Sequence, residues 1–151
     1  METLLNQKSL MISSLNENKM PEISYAPFMM KKQKIYIYIS KAAAHYHNLV
    51  QNPQCSVMLI EDEAACKTVF ARERVSFECI ASKVESSKEL LELFDGRQGA
   101  QMMMVLKTLD FDFFELVPLK GRLVKGFGQA FNISLNNGEF QLTQVTSIGH
   151  K

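Results

Sequence analysis

Cysteine and histidine are scarce in this 151-residue sequence, three of each. Cys55, Cys66 and Cys79 are widely spaced, odd in number and form no C-x-x-C pair. That argues against a disulfide framework or a zinc ribbon, and for small reduced hydrophobic residues in a cytoplasmic setting. Charge of one sign is not in excess: the net charge is +1, so composition points neither to nucleic acid nor to an acidic partner, and any anion site must be local. The longest apolar runs are far too short to span a membrane. Met1 to Lys8 lacks the basic start and apolar middle of a secretory signal. Internal repeats, low-complexity tracts, a Rossmann glycine pattern, a P-loop and a nucleophile elbow are all missing.

What remains is the composition of an ordinary globular domain, 46% hydrophobic and 22% charged. The length suits a single domain with a real core.

The first two thirds read as β-structure. Ser9 to Leu15 is short and apolar; Asn16-Glu17-Asn18-Lys19 supplies a turn before a second run, Glu22 to Met29. After the polar turn Lys31 to Lys34, Ile35, Ile37 and Ile39 alternate with Tyr36, Tyr38 and Ser40, the period of a strand with one buried face. Ser40 is placed to cap a short helix over Lys41 to Val50, stopped at Asn52-Pro53. Cys55 to Ile60 is a fourth strand. Phe70 to Ser82 is a long fifth, with Val75, Phe77, Cys79 and Ala81 on one face and Arg72, Arg74, Ser76 and Glu78 on the other.

Helical spacing follows over Glu85 to Phe94, and again over Gln98 to Leu109, where Met102, Met103 and Met104 read as adaptable core packing. Strands return at Phe111 to Val117, Leu119 to Lys125 and Gly128 to Leu135. After the Asn136-Asn137-Gly138 turn, Glu139 to Lys151 is polar and weakly patterned. Strands, then two helices, then strands again predict a mainly β fold, a barrel with helices at its side.

The most informative stretch is Pro118 to Phe131, P-L-K-G-R-L-V-K-G-F-G-Q-A-F, with three glycines and three cations at strand spacing. Glycine within a strand marks close approach by a ligand or another backbone, and the interleaved cations suggest an anionic visitor. Arg72, Arg74, Arg122 and Lys125 are candidate partners for phosphate or carboxylate groups, or simply surface charges. His45 and His47 are two apart, so on a helix they cannot share one metal. His150, after a glycine near the end of the chain, is either a free-swinging imidazole ligand or an uneventful terminus. Asp110 and Asp112, two apart in a strand-like segment, put both carboxylates on one side. They form a solvated rim or hold a partner imidazole by its second nitrogen.

In order along the chain come S-L-M-I-S-S-L, P-E-I-S-Y-A-P-F, I-Y-I-Y-I-S-K-A-A-A-H, N-L-V-Q-N-P, V-M-L-I-E-D-E-A, F-A-R-E-R-V and P-L-K-G-R-L-V-K-G-F-G-Q-A. This series, from Ser9 to Phe131, resembles the haem-utilisation branch of the pyridoxamine-phosphate-oxidase-like, FMN-binding split-barrel superfamily. The resemblance implies a Greek-key-like split β-barrel of about six to eight strands with flanking short helices, working as a homodimer with its ligand sites at the subunit interface. The barrel would occupy 8–135, and 136–151 would be a tail carrying a ligand to iron.

In that branch the ligand is haem, bound or oxidatively degraded to release iron for haem utilisation, with an external electron donor. The resemblance then implies His150 as axial ligand to the haem iron and Asp112 (or else Asp110) as acceptor for its other nitrogen. Arg72 would lie near the haem, His45 near the pocket, and Arg72 or Lys125 would meet the propionates. Arg72 and Asp112 are therefore the expected catalytic pair. FMN-binding relatives hold the flavin phosphate with a basic cluster at the strand-to-helix turn. Here that turn is Ser40-Lys41-Ala42-Ala43-Ala44, which keeps one cation. Two alternatives stay open beside haem degradation: an FMN-dependent oxidoreductase, and a non-enzymatic haem carrier or storage protein.

Overall fold

The computed structural model describes residues 1–145. Eight antiparallel strands follow a four-residue helix α1 (Glu2–Leu5): β1 (Ser9–Leu15), β2 (Pro21–Lys31), β3 (Lys34–Ser40), β4 (Gln54–Ile60), β5 (Arg74–Val84), β6 (Phe111–Gly126), β7 (Gln129–Asn136) and β8 (Glu139–Gln144). Helix α2 (Ala44–Gln51) links β3 to β4, and α3 (Lys88–Gln98) with α4 (Ala100–Leu106) links β5 to β6. The strand order is β3-β2-β1-β4-β5-β6-β7-β8, and β3 also pairs with β6. Six strands thus close into a barrel, and β7 and β8 extend its sheet beyond the closure.

The expected barrel with helices beside it is the observed architecture. Alternation fills its interior: Leu10 and Ile12 of β1, Val57 and Leu59 of β4, Val75 and Phe77 of β5, and Phe114 and Leu116 of β6 are all buried. A second, smaller core lies outside the wall, where Met29, Tyr38 and Phe113 meet Leu90 and Phe94 of α3 and Met103 of α4. This second core explains why β3 departs from its expected one-sided pattern. Tyr38 is buried with the isoleucines because α3 covers it, its ring 4.4 Å from that of Phe113 and 5.9 Å from that of Phe94. Of the three consecutive methionines only Met103 packs; Met102 and Met104 are exposed.

Local chemistry moves several boundaries. Ser40 does not cap α2: its hydroxyl accepts from Ala42 N–H at 3.0 Å, closing a tight turn, and the helix starts only at Ala44. α3 begins at Lys88 because Ser87 caps it, accepting from Leu90 N–H at 3.1 Å. Gly99, at φ +97°, separates α3 from α4. β5 begins at Arg74 rather than Phe70, since Thr68 caps a 3-10 turn over Val69–Ala71. The two segments Phe111 to Val117 and Leu119 to Lys125 are one strand, with a bulge that leaves Leu119 unpaired between Pro118, opposite Cys79, and Lys120, opposite Glu78; Pro118 has no N–H to give the ladder. β8 lies in the stretch that reads as weakly patterned. Its inward anchor is Phe140, stacked on Phe77 at 5.2 Å, and its other side chains are exposed, so the alternation is faint in sequence.

Gly121 shows what the glycine-rich stretch does locally. A Cβ there would lie 2.5 Å from the Ser76 carbonyl oxygen and 2.7 Å from Phe77 Cδ1. The close visitor at Gly121 is therefore β5, whose Phe77 is its register partner. Gly126 has only Gln129 Oε1 nearby, at 3.9 Å, and Gly128 takes the left-handed conformation (φ +67°) of the β6–β7 turn. Gly121→Ala is expected to lower the urea midpoint by the equivalent of about 1–3 kcal/mol, the usual range for overpacking. Gly126→Ala should move it much less. Equal midpoints for the two variants would show that β5 can yield to the added methyl.

Candidate functional site

β6 distributes the candidate residues. Asp112 sits at its start, opposite Ile39 of β3, and Lys125 lies near its end, next to Val124, the partner of Arg74 on β5. Between these ends lie roughly 40 Å of strand at about 3.3 Å per residue. Within one chain the candidates therefore form two groups.

The first group surrounds Asp112. Tyr46 projects from α2, its ring buried edge-on against Phe114 at 5.1 Å, and its hydroxyl donates a hydrogen bond to Asp112 Oδ2. Lys83 Nζ of β5 lies 3.5 Å and Lys41 Nζ of the β3–α2 turn 3.9 Å from the same oxygen. The Tyr46 hydrogen bond, with the two ammonium groups, holds the Asp112 carboxyl below the usual carboxylate range despite partial burial. Among the described residues Oδ1 has no hydrogen bond or ion pair. Asp112 and Lys83 border a cleft of about 460 Å³ with Val84, Glu85 and Ser86. Asp110 lies outside β6; it is exposed, and among the described residues its carbonyl alone is used, accepting from Lys41 N–H at 2.8 Å.

His45 precedes Tyr46 on α2 but serves another cleft, of about 430 Å³, with Glu22, Ile23, Ser24, Ala43 and Ala44. Its Nε2 is buried without a hydrogen-bond partner, and burial lowers its pKa, which keeps the ring neutral. His47 is exposed and has only an edge contact with Tyr46, at 5.6 Å.

The second group lies at the far end of β6. Arg72 is not on a strand face. It ends the 3-10 turn, its Nε donates to the Glu61 carbonyl at 2.6 Å, and its Nη1 is 3.6 Å from Glu63 Oε1. Arg74 Nη1 donates to the Arg72 carbonyl at 2.8 Å. Lys125 is exposed, its ammonium 5.4 Å from the Phe131 ring centroid. Arg122 lines a smaller cleft, of about 200 Å³, with Ser76, Glu78, Lys120, Gly121 and Asn132. His150 lies outside the described residues. Among those described, no cluster of three or more histidine, cysteine or acidic side chains could hold a metal ion, and no helix is long and apolar enough to cross a membrane.

Tyr46 and Lys83 are the members of the Asp112 group that sequence reasoning passed over. Tyr46 is 66 residues from Asp112 in the chain, and its place between two histidines looks like ordinary helix composition. Lys83 reaches the site only through the β5–β6 register, which pairs it with Phe114. The lone cation of the Ser40–Ala44 turn, Lys41, is turned toward Asp112.

The model of the pyridoxamine 5'-phosphate oxidase family matches residues 1–125. Heme oxygenase HutZ of Vibrio cholerae is 39% identical over 132 residues, 85% of this chain and 75% of that protein. Among solved structures, Campylobacter jejuni ChuZ superposes with a TM-score of 0.85 at 33% identity over 99% of this chain. The match spans 63% of the ChuZ chain, so that relative is considerably longer. The structure of HutZ, described as the heme storage protein of V. cholerae, gives a TM-score of 0.71 at 37% identity, covering 78% of this chain and 85% of that one. A closed six-stranded barrel with this strand order, matched along most of its length by both sequence and structure, makes the chain a member of the pyridoxamine 5'-phosphate oxidase family.

Proposed function

We propose that this protein binds haem for haem utilisation and supports its oxidative degradation to release iron, as a homodimer supplied with electrons by an external donor. The observation that carries the choice of haem over FMN is the scarcity of cations at the strand-to-helix turn. The strand-to-helix turn that would have to hold a flavin phosphate has one cation, and that cation faces the Asp112 carboxylate at 3.9 Å. A dianionic phosphate needs several donors or cations. The names of the relatives, a heme oxygenase and a heme storage protein, point the same way.

The residues present fit haem. The half-buried, neutral His45 imidazole, whose buried Nε2 has no hydrogen-bond partner among the described residues, is suited to an apolar ligand pocket. Asp112 is a held carboxylate with one oxygen unpartnered among the described residues, the acceptor that a ligating imidazole needs for its second N–H. His150 is proposed as that ligand. Asp112 would fix the orientation of its ring and raise its electron donation. Arg72, Arg122 and Lys125 offer donors for propionates. Haem, when bound, supplies the iron and the macrocycle on which the oxidation takes place.

The separation of the two groups along β6 supports a site shared between copies: two chains, oppositely oriented, can bring the Asp112 end of one beside the Arg72 and Lys125 end of the other. Exposed apolar side chains supply surface for such pairing, with Ile23 and Tyr25 on β2 and Phe70 and Phe127 at the far end each at least 70% exposed. Sedimentation at micromolar concentration should give a dimer, and an Ile23→Asp/Tyr25→Asp double variant should dissociate it without loss of β-structure. A monomeric wild type would remove the shared site.

Titrating the protein with haem should give a saturable Soret band that reductant under air erodes. A Soret band stable through long exposure to reductant would favour carriage, consistent with the storage description of one relative. A yellow protein releasing FMN on denaturation would overturn the haem reading. His150→Ala should weaken binding greatly and change the spectrum, while His47→Ala should do neither. Asp112→Asn should retain haem, with affinity or turnover reduced roughly 10–100-fold, as for the loss of other partners of metal-bound histidines.

A further inference from the structure

Asp112 is held through one oxygen and borders a cleft. Its Oδ2 is shared by the Tyr46 hydroxyl, the Lys83 ammonium at 3.5 Å and the Lys41 ammonium at 3.9 Å. The three donors differ in rigidity. Lys83 and Lys41 are about half exposed (52% and 47%) and end flexible stems, so each is a loosely held, solvent-screened charge. Tyr46 is buried to 6% exposure, and its ring is clamped edge-on to Phe114, itself 1% exposed and two residues along β6 from Asp112. The phenol is thus a rigid post fixed to the same strand that carries the carboxylate. A rigid single donor sets the χ2 rotation of a carboxyl group, where mobile ammonium groups follow it.

We infer that Tyr46 is a positioning residue: its hydroxyl pins Oδ2 of Asp112, a residue that lines the cleft with Lys83, Val84, Glu85 and Ser86, and so leaves Oδ1 for an incoming N–H donor. On the haem reading, upon which this assignment rests, that donor is the iron-bound imidazole. The ring of Tyr46 packs while its hydroxyl does the orienting, so Tyr46→Phe separates the two roles. Removing the oxygen leaves the contact with Phe114 and the fold in place, and leaves the carboxylate held by the two mobile ammonium groups alone, free to rotate with them.

Two measurements test this. In the ligand-free protein, ultraviolet resonance Raman of the tyrosine doublet, isolated by subtracting the Tyr46→Phe spectrum from that of wild type, should show Tyr46 as a strong hydrogen-bond donor, and Asp112→Asn should weaken that signature. An unchanged doublet in Asp112→Asn overturns the assignment without any use of haem. In the ferrous haem complex, the iron–imidazole stretch of Tyr46→Phe should move down from wild type toward the Asp112→Asn value. The double variant should match Asp112→Asn alone.

A stretch that stays put in Tyr46→Phe, or one that rises because the carboxylate has merely lost a charge-withdrawing donor, overturns the positioning role while leaving the haem reading intact. A wild type showing no imidazole-bound haem at all removes the haem reading, and the assignment with it. The Tyr46→Phe and wild-type far-ultraviolet circular dichroism spectra should coincide; if they differ, the hydroxyl is needed for folding and the orienting role is overturned.

Discussion

The pairing of β6 with β3 is the constraint on which the structure depends. Residues Ile35 to Ser40 align with Leu116 back to Phe111, closing six strands into a barrel and leaving no free edge between β3 and β6. Closure requires β6 to be long, because it must pair with β3 through its first half, with β5 along nearly all its length, and with β7 through its second half. Pro118 sits in the region where one set of neighbours gives way to the next. Its missing N–H and the accompanying bulge let a single strand serve both.

The same length organises the chemistry. Closure brings Asp112 beside the β3–α2 turn, so Lys41 and Tyr46 reach it from one side and Lys83 of β5 from the other. It also carries Lys125 and the neighbourhood of Arg72 and Arg74 to the opposite end. A ligand that uses an acidic holder at one end and cations at the other cannot be served by one barrel. On the proposed reading, the fold makes a half-site, and a second copy supplies the remainder.

Much of this architecture was legible in sequence because alternation reports burial directly. Val75, Phe77, Cys79 and Ala81 were assigned to one face and are buried together. The failures have separable causes. Tyr38 and Ser40 were misread because tertiary cover by α3 and a local Ser40–Ala42 turn outweighed strand and cap preferences. Arg72 looked like a strand residue because the 3-10 turn before it contains Val69 and Phe70, apolar side chains that are nonetheless exposed, at 56% and 78%. β8 was invisible because one aromatic anchor carries it. In the site, Asp112 was identifiable from chemical type and the resemblance, whereas Lys41 was noted only as the cation of the strand-to-helix turn. Tyr46 and Lys83 depend on the packing of α2 and the β5–β6 register, which no local pattern encodes.

The glycine-rich stretch illustrates how a single signal divides between structure and function. Gly121 is explained by β5, whose Ser76 carbonyl leaves no room for a Cβ, and Gly128 by the turn to β7. Neither needs a ligand. The cations between them are different: no strand geometry demands Arg122 or Lys125, and among the described residues Lys125 rests on the face of Phe131 and pairs with no carboxylate. A cation held by an aromatic face keeps most of its charge available to an anion. The electrostatics of the two ends therefore differ in kind. The Asp112 end is built round a carboxylate and suited to accepting one N–H donor, and the Arg122–Lys125 end carries exposed positive charge suited to carboxylates. That division matches an amphiphilic ligand with a metal at its centre and acidic groups at its rim better than it matches a phosphate ester held at a single turn.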